Sequence, residues 1–203
     1  MSVNLQKGQK VDLTKGNAGL KKLMIGLGWD EAGAESQKKG FLGGLLGGKK
    51  QADIDCDASA LLLSGGKLAG VEDVVYFGNL SHASGAVRHQ GDNLTGGGEG
   101  DDEQILINLK EVPAKFDKIM FVVNIYKAAD RQQHFGMIRN AFIRVVNADN
   151  QQELCKYNLS ENYDGMTAMI FGEVYRHNEE WKFNAIGQAT KDKGISELAQ
   201  RYR

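Results

Sequence analysis

Residues 53–62 read Asp53-Ile54-Asp55-Cys56-Asp57-Ala58-Ser59-Ala60-Leu61-Leu62, and the first half alternates strictly. Asp occupies 53, 55 and 57, while 54, 56 and 58 are apolar or small. Successive side chains of a β-strand point to opposite faces, so this pattern sends Cys56 toward a core and the Asp residues to the other face. Leu23-Met24-Ile25-Gly26-Leu27-Gly28-Trp29 repeats the rule, with its odd positions apolar. Strand-like runs follow at 73–80, 104–109, 118–126, 141–147, 153–159, 167–176 and 181–187, rich in Val, Ile, Phe and Tyr and separated by Gly, Asn and Asp. About nine or ten short strands with little helix between them predict an all-β, antiparallel two-sheet β-sandwich. An α/β fold would need amphipathic crossovers of about ten residues or more, which are missing. One short C-terminal helix is expected over 195–202, with Ile195, Leu198, Ala199 and Tyr202 on one face.

The 203 residues carry 25 basic and 26 acidic side chains, a formal charge of −1. That balance argues against a nucleic-acid partner, which would leave a basic excess. No apolar run approaches the ~20 residues of a transmembrane segment, and the polar start MSVNLQKGQK is no signal peptide. Cys56 and Cys155 make no metal-type or redox pair, so a reducing, cytoplasmic setting is expected, with both thiols inert. Gly is unusually frequent at 26 residues, against one proline, Pro113. Tight turns or a loop pressed against a ligand would need such freedom. One domain spanning 1–203 is expected. Its Gly/Lys-rich insertion at about 32–52 contains Phe41-Leu42-Gly43-Gly44-Leu45-Leu46 between Lys pairs. This is read as a surface insertion, or as an apolar patch for a partner or membrane surface.

The densest chemistry lies at 92–103, Asp-Asn-Leu-Thr-Gly-Gly-Gly-Glu-Gly-Asp-Asp-Glu. Together with residues 53–57, which hold Asp53, Asp55 and Asp57, these 17 positions hold eight of the 26 acids, where even spacing would place about two. Carboxylates this close either point separately into water or gather around a cation. The loop offers only hard oxygen donors and backbone carbonyls. That donor set suits calcium, then magnesium, and disfavours zinc, copper and iron. It is neither an EF-hand, because Leu94 and Gly96 occupy the third and fifth positions from Asp92, nor a P-loop. Same-face Asp residues on a strand are ~6.6 Å apart, so neighbours can share one ion or serve two. The same Asp residues would equally suit an edge strand defended by charge.

These residues carry a resemblance. The stretches VNLQKG (3–8), GLGWD (26–30), DIDCDASALL (53–62), YFGNL (76–80), HQGDNLTGGGEGDDE (89–103), FVVNIY (121–126), FGMIRNAFIRVV (135–146) and FGEVYRHNEEWKF (171–183) resemble the tellurium-resistance TerD family of bacterial stress proteins along nearly the whole chain. The resemblance implies a β-sandwich that binds calcium, two ions, at one end. The implied ligands fall within Asp55, Asp57, Asn79, Asp92, Asn93, Thr95, Gly97, Glu99, Asp101, Asp102 and Glu103, Gly97 acting through its carbonyl. It also implies a role in resistance to tellurite and other chemical or oxidative stress, with other tellurium-resistance and stress proteins as partners, some at the membrane. The 32–52 segment departs from the compact connection of the plainest members.

Three functions compete: a non-enzymatic calcium-binding stress protein acting as sensor or assembly module, a metal-dependent phosphoester hydrolase, and a metal-free protein-interaction adaptor. No general base apart from the ligands and no paired phosphate-binding Lys favour the hydrolase. His82, His89, His134 and His177 are scattered and are expected at the surface or in hydrogen bonds. Arg131, Arg139 and Arg144 are expected to pair with nearby acids at the surface.

Overall fold

The computed structural model describes residues 2–17, 19–31, 54–91, 100–178 and 180–203. Among them, twelve strands form two six-stranded sheets. The first sheet runs β1 (Val3–Leu5), β10 (Gln152–Asn158), β9 (Ile138–Asn147), β3 (Lys22–Glu31), β7 (Glu103–Asn108), β6 (Val87–His89). The second runs β2 (Lys10–Asp12), β12 (Glu180–Thr190), β11 (Ala168–His177), β8 (Lys118–Ile125), β4 (Cys56–Leu63), β5 (Val74–Val75). Every pairing is antiparallel except β1 with β10, where Val3 lies opposite Cys155 in a parallel pair.

The predicted alternation decides what faces what. Leu23, Ile25 and Leu27 of β3 and Ile105 and Ile107 of β7 face inward. They meet Phe121 and Val123 of β8, Phe171 of β11 and Phe183 of β12 in the main core. Cys56, Ala58, Ala60 and Leu62 of β4 join that core, as the pattern at 53–58 requires. The opposite parity of β4 and β8 puts Leu61, Leu63, Met120 and Val122 on the outer face of the second sheet. There the predicted C-terminal helix, α2 (Ile195–Gln200), covers them with Leu198 and Ala199. Fully burying one side chain such as Leu198 is worth about 1.5–3 kcal/mol.

Two expectations need correction. The 73–80 run is no continuous strand. A 3-10 turn at Val71–Asp73 leads into the two-residue β5, and residues 76–79 close a tight turn through Tyr76 N–H to the Asn79 carbonyl and its reciprocal. The short strands β1, β2 and β6 and a one-turn helix, α1 (Ala128–Arg131), were not anticipated. His82 and His89 take the hydrogen-bonding alternative and not the surface one: both are buried, with His82 bonded to Asp73 and Ser84, and His89 accepting the Gly91 N–H with Glu103 3.5 Å from its Nε2. The 32–52 insertion lies outside the described residues.

Candidate metal centre

Of the sequence-predicted ligands, Asp92, Asn93, Thr95, Gly97 and Glu99 lie outside the described residues. The others come from three separated segments, and the fold treats them differently.

Asp55 and Asp57 flank Cys56 at the start of β4. Asp57 is buried on the outer face of the second sheet, directly opposite Asn124 of β8, whose Nδ2 donates to Asp57 Oδ2 at 3.2 Å. Asp55 Oδ2 lies 3.8 Å from Arg131 Nη1, at the C-terminal end of α1. The Asp55 backbone carbonyl accepts the Tyr126 N–H, which closes β8 against this end of β4.

Glu103 begins β7 and shares the inward parity of Ile105, yet it reaches across to the other sheet. Its Oε2 accepts the Ala58 N–H at 2.5 Å. β5 pairs only with Ala60 and Leu61, so among the described residues no strand lies beside the edge of β4 before them, and the carboxylate takes that donor instead. His89 Nε2 faces the same oxygen at 3.5 Å, with both side chains wholly buried. His89 Nδ1 accepts the Gly91 N–H, so the ring is held from both sides.

Asp102 is anchored to β3. Its N–H donates to the Leu27 carbonyl, and its Oδ2 accepts the Trp29 N–H at 2.7 Å. Burial holds its carboxyl above the usual range, with the charges of Asp30 and Asp101 acting in the same direction and the Trp29 N–H opposing them. Cys56 reports the combined field. Its thiol is pushed well up, first by burial and then by Glu103, Asp57, Asp55 and Asp102. Four carboxylates from two distant segments thus act electrostatically on this one inward-facing sulfur.

Two predicted ligands are placed otherwise. Asp101 is buried flat against β3, where Arg144 of β9 grips it with Nε on Oδ1 at 2.6 Å and Nη2 on Oδ2 at 2.9 Å. Gln104 adds a bond to Oδ2 at 3.1 Å. Gly26 makes this possible, since a Cβ there would collide with the Asp101 carboxylate, and Gly100 enters the turn at a φ of +121°. Glycine thus serves close approach, as the composition suggested. Asn79 donates to the Val74 carbonyl at 2.7 Å and lines a cavity of about 340 Å³ with Val71, Tyr76 and Ile195 beside α2. Residues 76–80 lead the chain from the second sheet toward β6.

The donor set at the carboxylate end fits a hard cation: carboxylate and amide oxygens, with Cys56 turned into the core and His89 Nδ1 taken by the Gly91 N–H. Among the described residues alone, no three Asp, Glu, His or Cys side chains meet closely enough to make a metal shell. Sequence reading missed Asn124, although a lone Asn inside the apolar run of β8 was a visible signal. It also missed the Arg144–Asp101 grip, which no local pattern announces.

A family model for the TerD domain matches residues 1–202. The chain belongs to the TerD family. It is 54% identical to stress response protein SCP2 of Bacillus subtilis (strain 168) over 202 residues, covering 100% of both chains. It is 45% identical to tellurium resistance protein TerD of Serratia marcescens, covering 100% of this chain and 97% of that one. A crystal structure of a homologue of telluride resistance protein (TerD) from Streptomyces coelicolor A3(2) has the same fold, with a TM-score of 0.60 at 19% identity. The match covers 86% of this TerD chain and 92% of that one. Membership of this family supports a tellurium-resistance or stress role. No helix among the described residues is long and apolar enough to cross a membrane.

Proposed function

We propose that this TerD-family protein is a calcium-binding stress-response protein without catalytic activity of its own, a sensor or assembly module in resistance to tellurite and chemical or oxidative stress. It would work in the cytoplasm with other tellurium-resistance and stress proteins, some at the membrane surface. The observation that supports the reading is that Asp57, Asp102 and Glu103, with Asp55 beside them in sequence, are held at the start of β4 and the entry to β7 by Asn124, the Trp29 N–H and the Ala58 N–H, and all four charges act on Cys56. Like charges brought together by folding repel, and a divalent cation among them removes that repulsion while bonding to the oxygens. Asp92, Asn93, Thr95, Gly97 and Glu99, which precede Asp102 and Glu103 in one loop, are the proposed further donors, enough oxygens for two ions. Asp101 is given a different role: its charge is matched by Arg144, and it pins the end of that loop to β3.

Bound calcium would supply charge neutralisation among the carboxylates that hold it. This chain's own residues set the rest. Glu103 ties β7 to β4, Asp102 ties the loop to Leu27 and Trp29, and the Asp101–Arg144 pair clamps the turn between them. Cation binding would change the charge that this end of the sandwich presents, a difference that a partner can read, which is how a binding event becomes a signal.

The test is a melting curve of chelator-stripped protein with and without millimolar calcium. A ligand bound only by the folded state adds about 2.7 kcal/mol at a hundredfold excess over its Kd. For a chain of this size that raises Tm by about 5–11 °C. Identical curves in calcium and in excess chelator would refute the metal reading. Metal-dependent turnover of phosphate esters would refute the non-catalytic one.

A further inference from the structure

We propose that Asn124 of β8 is a ligand of the cation bound at Asp57, contributing its side-chain amide oxygen. The inference rests on the calcium reading above and assigns it a residue outside the acidic motifs. β8 is otherwise apolar from Ile119 to Val123 and again at Ile125. Inward Ile119, Phe121, Val123 and Ile125 fill the core, and outward Met120 and Val122 lie under α2. Asn124 is the next outward position, only 5% exposed, where an apolar residue would serve packing better.

Its amide is half satisfied. Nδ2 donates to Asp57 Oδ2 at 3.2 Å, whereas Oδ1, also buried, accepts nothing among the described residues. Buried acceptors are rarely left so, because each costs about 1–3 kcal/mol. A second orphan lies nearby: Ser59, the next outward position of β4 after Asp57 and 1% exposed, has a hydroxyl without a partner among the described residues. Two oxygens without hydrogen-bond partners among the described residues, on the same face as a buried carboxylate, suit a cation better than hydrogen bonding.

The amide can also present its oxygen directly to Asp57. The terminal torsion of Asn is broad and two-fold, so a half-turn exchanges Nδ2 and Oδ1 with little steric change. It would leave Oδ1 about as far from Asp57 Oδ2 as Nδ2 is now. Two oxygens at about 3 Å repel in an empty site, yet that spacing is ordinary for neighbours in a calcium shell with bonds of about 2.3–2.6 Å. An amide oxygen adds a donor without adding to the negative charge already there. Asn124 thus hydrogen-bonds Asp57 without metal and shares the ion with it when metal arrives.

Calorimetric calcium titrations of the stripped full-length protein test this, with Asn124→Ala and the nearly isosteric, apolar Asn124→Leu. Terbium luminescence lifetimes in H2O and D2O count the waters on the bound ion. Calcium affinity should fall by about tenfold or more in both variants, and bound terbium should gain about one water. Asn124→Leu should melt no lower than wild type without metal, since it replaces a half-satisfied amide by a side chain suited to β8. That keeps the test decisive if the alanine variant does not fold. Weaker binding with unchanged hydration would mean that Asn124 only positions Asp57, and would overturn the ligand assignment. So would affinity within twofold of wild type. Wild-type protein that binds no calcium would overturn the calcium reading itself, and this inference with it.

Discussion

Replacing Arg144 by Met should destabilise the protein by about 3 kcal/mol, and the reason lies in one buried carboxylate. Asp101 has no side-chain exposure, and both its oxygens are held by Arg144 at 2.6 and 2.9 Å. Methionine keeps much of the stem packing but removes the counter-charge, leaving Gln104 as the remaining side-chain donor recorded on Asp101. Breaking a buried pair from one side costs about 3–5 kcal/mol. The lower end applies because the Arg144 side chain is 30% exposed, so water relieves part of the loss. For a chain of this length the expected fall in Tm is about 6–12 °C. Asp101→Asn should cost less, about 1 kcal/mol. It removes the buried charge, and Arg144 retains solvent and Glu153 at 3.6 Å. The double variant should therefore be more stable than the sum of the two losses by about 1 kcal/mol or more. Chemical denaturation of the four proteins in excess chelator measures the cycle. An Arg144→Met protein within about 2 °C of wild type, or a cycle additive within about 0.5 kcal/mol, would refute the claim that this pair pins the loop.

Burial pushes the Cys155 thiol up to about 12, with Glu153 adding to the rise. At pH 8 only about one molecule in 10⁴ would carry the thiolate, so alkylation of the native protein should be at least a hundredfold slower than that of a free cysteine, rising as pH climbs toward 12. Labelling of native Cys155 at a free-cysteine rate, followed by peptide mass spectrometry, would contradict this. Leu198→Ala should cost about 2–4 kcal/mol, because Leu198 of α2 is fully buried against the second sheet, while an unchanged urea midpoint would show that the helix contributes nothing to the fold. Gly26→Ala should lower Tm by about 2–10 °C by pushing the Asp101 carboxylate off β3, and the loss should shrink in an Asp101→Asn background.

The sequence by itself determined the all-β class, the inward set of each longer strand and the helical tail, because alternation and the apolar face at 195–202 are local properties with fixed periods. Cys56 and Leu23 take the sides that their neighbours dictate. It failed where a segment is too short to show a period. The three-residue strands β1, β2 and β6 belong to a sheet only through partners far along the chain, and residues 76–79 turn although their composition suits a strand. The acids of the site were equally legible, since their density is a matter of counting. Their division of labour was not. Asp101 and Asp102 are adjacent, yet one faces Arg144, 43 positions away, and the other the Trp29 N–H. Glu103 finds the Ala58 N–H only because β5 stops short, and Asn124 meets Asp57 only through the register of β8 on β4. Charge density is written residue by residue. Which charge is met by a side chain and which by the backbone depends on what long-range packing brings within about 3 Å, and that was decided by the tertiary structure alone.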